Sequence, residues 1–236
     1  MRQIIKLFTI GLKQITKDGM LFVLLFIPFV VGLVFKFIVP FANVIIIETL
    51  SFSLVPWYGL IDGMLIFLTP MFTAVVCAFL FLEERDEGIG AFYQISPVAG
   101  YSYLAARIVI PIVWAFLITI VSLLLFNVSS LSLISILSCS FIGTLTGLLF
   151  ALILVSVADN RLEGLALSKL MGIVYLGIVL VWFIPAPYHF IVAFLPSFWI
   201  GKILLEGPSL FAFILGILLA FFWIACFTKK FLSRIA

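Results

Sequence analysis

From 63 to 82 no Asp, Glu, Lys or Arg interrupts the chain, and comparable apolar runs recur along its length. Such runs narrow the choice of fold more than anything else in the sequence. About twenty apolar residues in a helix match the ~30 Å hydrocarbon core of a bilayer. With 66% hydrophobic residues, 27 phenylalanines and only 10% charged residues, the polar surface needed to cover a water-soluble globule is missing. No run alternates in and out at every second residue, which excludes a transmembrane barrel. The expected fold is an all-α integral membrane protein.

Six spans are expected, near 20–39, 63–82, 104–126, 131–158, 165–185 and 208–228, forming a single domain over 20–236. The stretches 40–61 and 186–207 lie between spans. Their prolines and aromatics, among them Pro56, Trp57, Tyr188, Pro196 and Trp199, suit segments that lie at the interface or dip partway into the bilayer. A seventh span within 40–61 is the alternative. Lys36 is placed close enough to a span end to reach the headgroups.

Basic residues orient the spans. With the amino terminus inside, eleven of the thirteen Lys and Arg fall on inner segments, leaving Lys36 and Lys202 outside. Both termini are therefore expected in the cytoplasm. A seventh span would carry Lys229, Lys230 and Arg234 to the other side. At 100° per residue, Arg2, Lys6, Lys13 and Lys17 cluster within about 60°, opposite Ile4, Ile5, Phe8, Leu12 and Ile15. Residues 1–19 thus read as an amphipathic helix on the inner surface and not as a signal peptide, whose charges would lead a single apolar core.

Chemistry-bearing residues are sparse. Cys77, Cys139 and Cys226 lie in apolar spans without metal-ligand spacing, and the lone His189 reads as a polar tip at the interface. Paired histidines, intramembrane aspartates and a serine with a base are all missing, so no intramembrane protease is assembled. The chain is read as no enzyme, with no metal site and no nucleic-acid partner. Asp62, Arg107 and Lys169 fall near span ends, where they reach water, and no buried charge pair of the kind an ion-driven carrier uses is expected. Thr69, Thr73, Ser138, Ser140, Thr144 and Thr146 are read as hydrogen-bonding neighbouring backbone, with lining of a path as the alternative, and Gly143-Thr144-Leu145-Thr146-Gly147 as a small-residue packing surface.

The exception is the cluster Glu83-Glu84-Arg85-Asp86-Glu87-Gly88. Five consecutive ionisable residues cannot enter hydrocarbon, so they mark a membrane face. After them, Ile89 to Pro97 allow two or three helical turns, stopped by Pro97 and Gly100. Arg161-Leu162-Glu163-Gly164 repeats the R-x-E-G pattern of Arg85 to Gly88, and the match is read as convergence.

These motifs resemble those of the ABC-2 type permease family. Glu84 to Gly88, then Ser96-Pro97-Val98, then Arg107-Ile108 look like its first cytoplasmic loop; Asn160-Arg161-Leu162-Glu163-Gly164-Leu165-Ala166 is similar to its second motif. The resemblance spans the whole chain and is nearest to the drug-export branch. It implies a permease subunit of an exporter, working with a separate ABC ATPase that supplies ATP and Mg, since no G-x-x-x-x-G-K-[ST] loop occurs here. It also implies a re-entrant outer segment before the last span, a second permease copy and a bacterial cytoplasmic membrane. The coupling residues it implies are Glu83, Glu84, Arg85, Glu87, Gly88, Phe92, Tyr93, Ser96 and Pro97, with Asn160, Arg161, Glu163 and Gly164 as a second group. The resemblance implies a short coupling helix over about Gly88 to Ser96, anchored at its base by ion pairs of Glu83, Glu84, Arg85 and Glu87. The phenylalanine-rich interior suggests a hydrophobic or amphipathic cargo, a small molecule or peptide moved out of the cytoplasm; a secondary carrier or channel working without an ATPase is the alternative.

Overall fold

The computed structural model describes residues 2–88 and 105–235. Among them all regular structure is helical: α1 (Arg2–Lys17), α2 (Gly19–Leu50), α3 (Tyr58–Asp86), α4 (Ile110–Phe126), α5 (Leu133–Val157), α6 (Arg161–Ser168), α7 (Met171–Phe183), α8 (Pro196–Glu206) and α9 (Leu210–Ile235). Six stretches are long and apolar enough to cross a membrane: Gly19–Leu50, Val55–Asp86, Ala106–Phe126, Leu133–Val157, Arg161–Phe183 and Leu210–Leu232.

Two helices form the core and the others surround them. The most apolar windows of α3 and α5 are 83% and 72% buried, against 11% for α2 and 17% for α9. What brings α3 and α5 together is local chemistry. Pro70 lacks an N–H and frees the carbonyl of Ile66 in α3. Gly143 and Gly147 of α5 lie against that weakened turn: a Cβ on Gly143 would stand 3.2 Å from the Ile66 oxygen, and one on Gly147 2.8 Å from the Pro70 oxygen. The glycine-threonine stripe is thus a packing surface. Its hydroxyls turn inward on their own helices, Thr144 donating to the Ser140 carbonyl (2.7 Å) and Thr146 to that of Ile142 (2.8 Å).

Several readings of the sequence need correction. The first long helix does not stop near 39. Helix α2 passes through Pro40 to Leu50, closed by Ser51 at φ 51° with its N–H on the Ile47 carbonyl, because in a lipid-exposed helix a proline need not end the segment. The stretch 40–61 is therefore no separate interfacial segment and no seventh span. Its first half completes α2, and its end, after a short 3-10 turn at Val55–Trp57, opens α3. Lys36 accordingly sits within α2, where its ammonium donates to the Leu125 carbonyl in the last turn of α4. A cation there offsets the unpaired carbonyls of a helix end.

Asp62 does not reach water either. It is 1% exposed and holds the α4–α5 connection, accepting from the N–H groups of Val128 (2.8 Å) and Ser129 (2.9 Å) and from the Ser129 hydroxyl. His189 is likewise buried, not an interfacial tip. Its ring packs against Phe190 and Phe198, with Nδ1 donating to the Ile184 carbonyl at 3.2 Å. The segment between α7 and α9 folds back so that α8 packs against α7, α9 and α5. The Ser197 hydroxyl binds the Val174 carbonyl at 2.6 Å, drawing α8 onto α7.

Helix α1 shows three sides. Leu7, Gly11 and Ile15 face the protein; Ile5 and Leu12 are exposed, as are Lys6, Lys13 and Lys17. Part of the apolar face expected to meet lipid is therefore used to dock α1 on the bundle.

Candidate functional site: an ion-paired junction at one end of the bundle

Both sequence motifs meet at the end of the bundle where α3 terminates. Successive residues of a helix point about 100° apart, so four consecutive charges at the end of α3 reach different neighbours. Glu84 is 2% exposed and pairs with Arg107, which lies in the π-helical turn Ala105–Val109 leading into α4. Arg107 also donates to Gln14 of α1 at 3.2 Å, and its guanidinium rests where Gly11 has no side chain. This buried pair is a departure from the sequence reading, which placed Arg107 in reach of water and no charge pair inside. The pairing partner explains it, since a buried charge persists when matched.

Arg85 turns to α5. It donates to the carbonyls of Val155 (3.3 Å) and Ala158, the groups that a helix end leaves without intrahelical donors. Glu83 and Asp86 face α6. Asp86 accepts from the Arg161 N–H at 3.1 Å, a carboxylate at a helix start where it is electrostatically favoured. Glu83 stands 3.7 Å from the Arg161 guanidinium.

Arg161 is the hub of this junction. Beyond Glu83 and Asp86 it pairs with Asp18 and lies 5.8 Å over the ring of Phe79. Asp18 in turn is the N-cap of α2: its Oδ1 accepts from Met20 (2.9 Å) and Leu21 (3.2 Å) while Oδ2 takes Arg161. Partial burial pushes the Asp18 carboxyl up, but the bonds from Arg161, Leu21 and Met20 outweigh it and hold it below its ordinary value of 3.8.

The second motif is built as a helix start. Asn160 caps α6, its side chain accepting from the Glu163 N–H at 2.9 Å, and Glu163 reaches back to the Asp159 N–H at 2.7 Å, a reciprocal arrangement that satisfies two orphan donors. Gly164 is where α6 touches α3: a Cβ there would stand 2.5 Å from Leu82 Cδ1. The first motif is instead a helix stop. Glu87 N–H returns to Glu83, Gly88 N–H to Arg85, and Gly88 sits at φ +69°, a left-handed conformation that glycine adopts freely. The shared R-x-E-G letters therefore serve opposite helix ends, in keeping with convergence.

Of the coupling residues expected from sequence, Glu83, Glu84 and Arg85 are engaged here together with Asn160, Arg161, Glu163 and Gly164. Glu87 is exposed and makes no ion pair among the described residues. Phe92, Tyr93, Ser96 and Pro97 lie outside the described residues. Sequence reasoning missed Asp18, Gln14 and Phe79 as members, and it placed Arg107 in the first motif without its pairing to Glu84. Only Asp18 had a readable signal, an N-cap residue just before an apolar run.

The family model described as Fluoroquinolones export permease protein Rv2686c-like matches residues 11–228. Two relatives from Mycobacterium tuberculosis, the fluoroquinolones export permease proteins MT2760 of strain CDC 1551 / Oshkosh and Rv2686c of strain ATCC 25618 / H37Rv, are each 24% identical over 191 residues. The alignment covers 79% of this chain and 75% of each relative. No solved structure matches the chain.

Proposed function

Because the chain belongs to the Rv2686c-like family of fluoroquinolones export permeases, an ABC-2 type permease family, we propose that its ion-paired junction receives force from a separate ATPase subunit. The chain is a multi-pass membrane protein and a transport subunit of an exporter family. In our reading the junction faces the cytoplasm, as the placement of eleven of thirteen basic residues favours. Two copies surround a pair of ATPases that bind ATP and Mg, in a bacterial cytoplasmic membrane. The cargo is a hydrophobic or amphipathic small molecule, in line with the names of the relatives.

One observation carries this reading. Two motifs 75 residues apart converge, and through them the end of α3 is tied to α4, α5, α6 and the α1–α2 corner. A displacement of the segment after Gly88 is passed by Glu84–Arg107 to the start of α4, by Arg85 to the end of α5, and by Arg161 to α6 and the α1–α2 corner. Charged pairs suit this task because they hold direction as well as distance. Glu87, exposed beside the turn, is left to contact the ATPase.

The test is a pull-down of the chain with its ATPase in mild detergent. The wild-type chain retains the ATPase, and Glu87→Lys, which leaves the junction intact, releases most of it. Retention of the ATPase by the variant at the wild-type level would remove Glu87 from the contact; failure of any ATPase to bind the wild-type chain would sink the reading.

A further inference from the structure

Helix α1 presents its lysines as a row. At 100° per residue Lys6, Lys13 and Lys17 fall within about 40° of one another, and all three are exposed. None of them makes an ion pair among the described residues, and α1 carries no Asp or Glu of its own. Exposed apolar side chains flank the row on both sides, Ile5 and Leu12 on one and Ile10 on the other.

The opposite face of α1 is fixed to the bundle. Leu7, Gly11 and Ile15 are buried, Gln14 accepts from Arg107 at 3.2 Å, and the Arg107 guanidinium occupies the space that Gly11 leaves. A single residue, Asp18, separates α1 from α2. Its N–H returns to the Gln14 carbonyl at 3.1 Å while its carboxylate takes Arg161. Whatever seats on the exposed face of α1 therefore acts on two members of the junction.

That face asks two things of a partner: negative charge over the row, and apolar cover beside it. A folded acidic patch answers the charge but leaves Ile5, Ile10 and Leu12 to water. An anionic leaflet answers both, since lysine stems lie along apolar surface while their ammonium groups reach the phosphates. Negative charge there also relieves the repulsion among lysines that have no counter-charge.

We propose that α1 senses the charge of the leaflet: Lys6, Lys13 and Lys17 bind the phosphates of anionic phospholipids, and this binding holds Gln14 on Arg107 and Asp18 on Arg161. Lying on a membrane needs only the apolar residues. The row adds selection of the lipid, and the docked face carries that selection into the junction.

Hydrogen exchange of the full chain, followed by mass spectrometry in nanodiscs, tests this directly. Discs of phosphatidylcholine are compared with discs in which a third of the lipid is phosphatidylglycerol. Exchange within 5–17 should slow tenfold or more in the anionic discs, about fivefold for each lysine that finds a phosphate, and exchange at 105–109 should slow with it. The variant Lys6→Gln/Lys13→Gln/Lys17→Gln loses this dependence, Lys6→Arg/Lys13→Arg/Lys17→Arg retains it, and Lys229→Gln/Lys230→Gln, at the far end of the chain, leaves it unchanged. Inorganic phosphate added to phosphatidylcholine discs gives no slowing. Equal exchange in the two lipids, slowing by inorganic phosphate, or slowing within 5–17 that appears only when an ATPase is added would overturn the proposal; so would slowing that stops short of 105–109. The lipid comparison contains no ATPase, so lipid selection can fail while the exporter reading stands, and the reverse.

Discussion

At the scale of the residue, charge does its work here by where its partner comes from. Glu84 and Arg107 are both 3% exposed as side chains, and removing one leaves the other buried without a counter-charge. Glu84→Ala is expected to cost about 3–5 kcal/mol of stability, while Glu84→Met/Arg107→Met recovers most of it; thermal unfolding in detergent measures both. Asp18 behaves differently because water reaches it. Its folded pKa lies below the ordinary 3.8, so its contribution is fully present above that value and lost as pH falls through the lowered folded pKa. The stability advantage of the wild-type chain over Asp18→Asn should be flat from pH 7 down to the ordinary carboxylate range and shrink below it. A constant difference down to the acid limit would contradict the pairing. These partners were not legible in the sequence. Arg161 and Asp18 are 143 positions apart, and Asp62 is held by the backbone of Val128 and Ser129, whose N–H groups carry no sequence signature.

At the scale of the element, helix contacts are set by residues that lack side chains. Gly147→Ala would drive a methyl group against the Pro70 carbonyl, rigid backbone that cannot step aside, and is expected to cost about 1–3 kcal/mol. Gly172→Ala in α7 meets nothing within 4 Å and should gain up to about 1 kcal/mol from helix propensity. Comparison of the two melting points checks the α3–α5 seam against a neutral site. The six apolar stretches were readable because bilayer length and composition leave little choice. Boundaries were not. Pro40 reads as a helix end by local propensity, yet α2 continues ten residues beyond it, since lipid offers a helix no better way to satisfy its backbone. The docking side of α1 also escaped, because Leu7 and Ile15 are as apolar as Ile5 and Leu12, and only tertiary contact separates them.

At the scale of the whole molecule, the ends of α3 and α5, the starts of α4 and α6 and the α1–α2 corner form one electrostatically tied unit. In the proposed reading such an arrangement transmits force only while its hub holds. The measurement that bears on this most directly is ATP hydrolysis by the reconstituted complex of permease and ATPase, with and without a fluoroquinolone, for the wild-type chain and Arg161→Ala. The wild-type complex should be stimulated severalfold, whereas Arg161→Ala should keep the bound ATPase and its basal rate but lose the stimulation. Undiminished stimulation in Arg161→Ala would contradict the account.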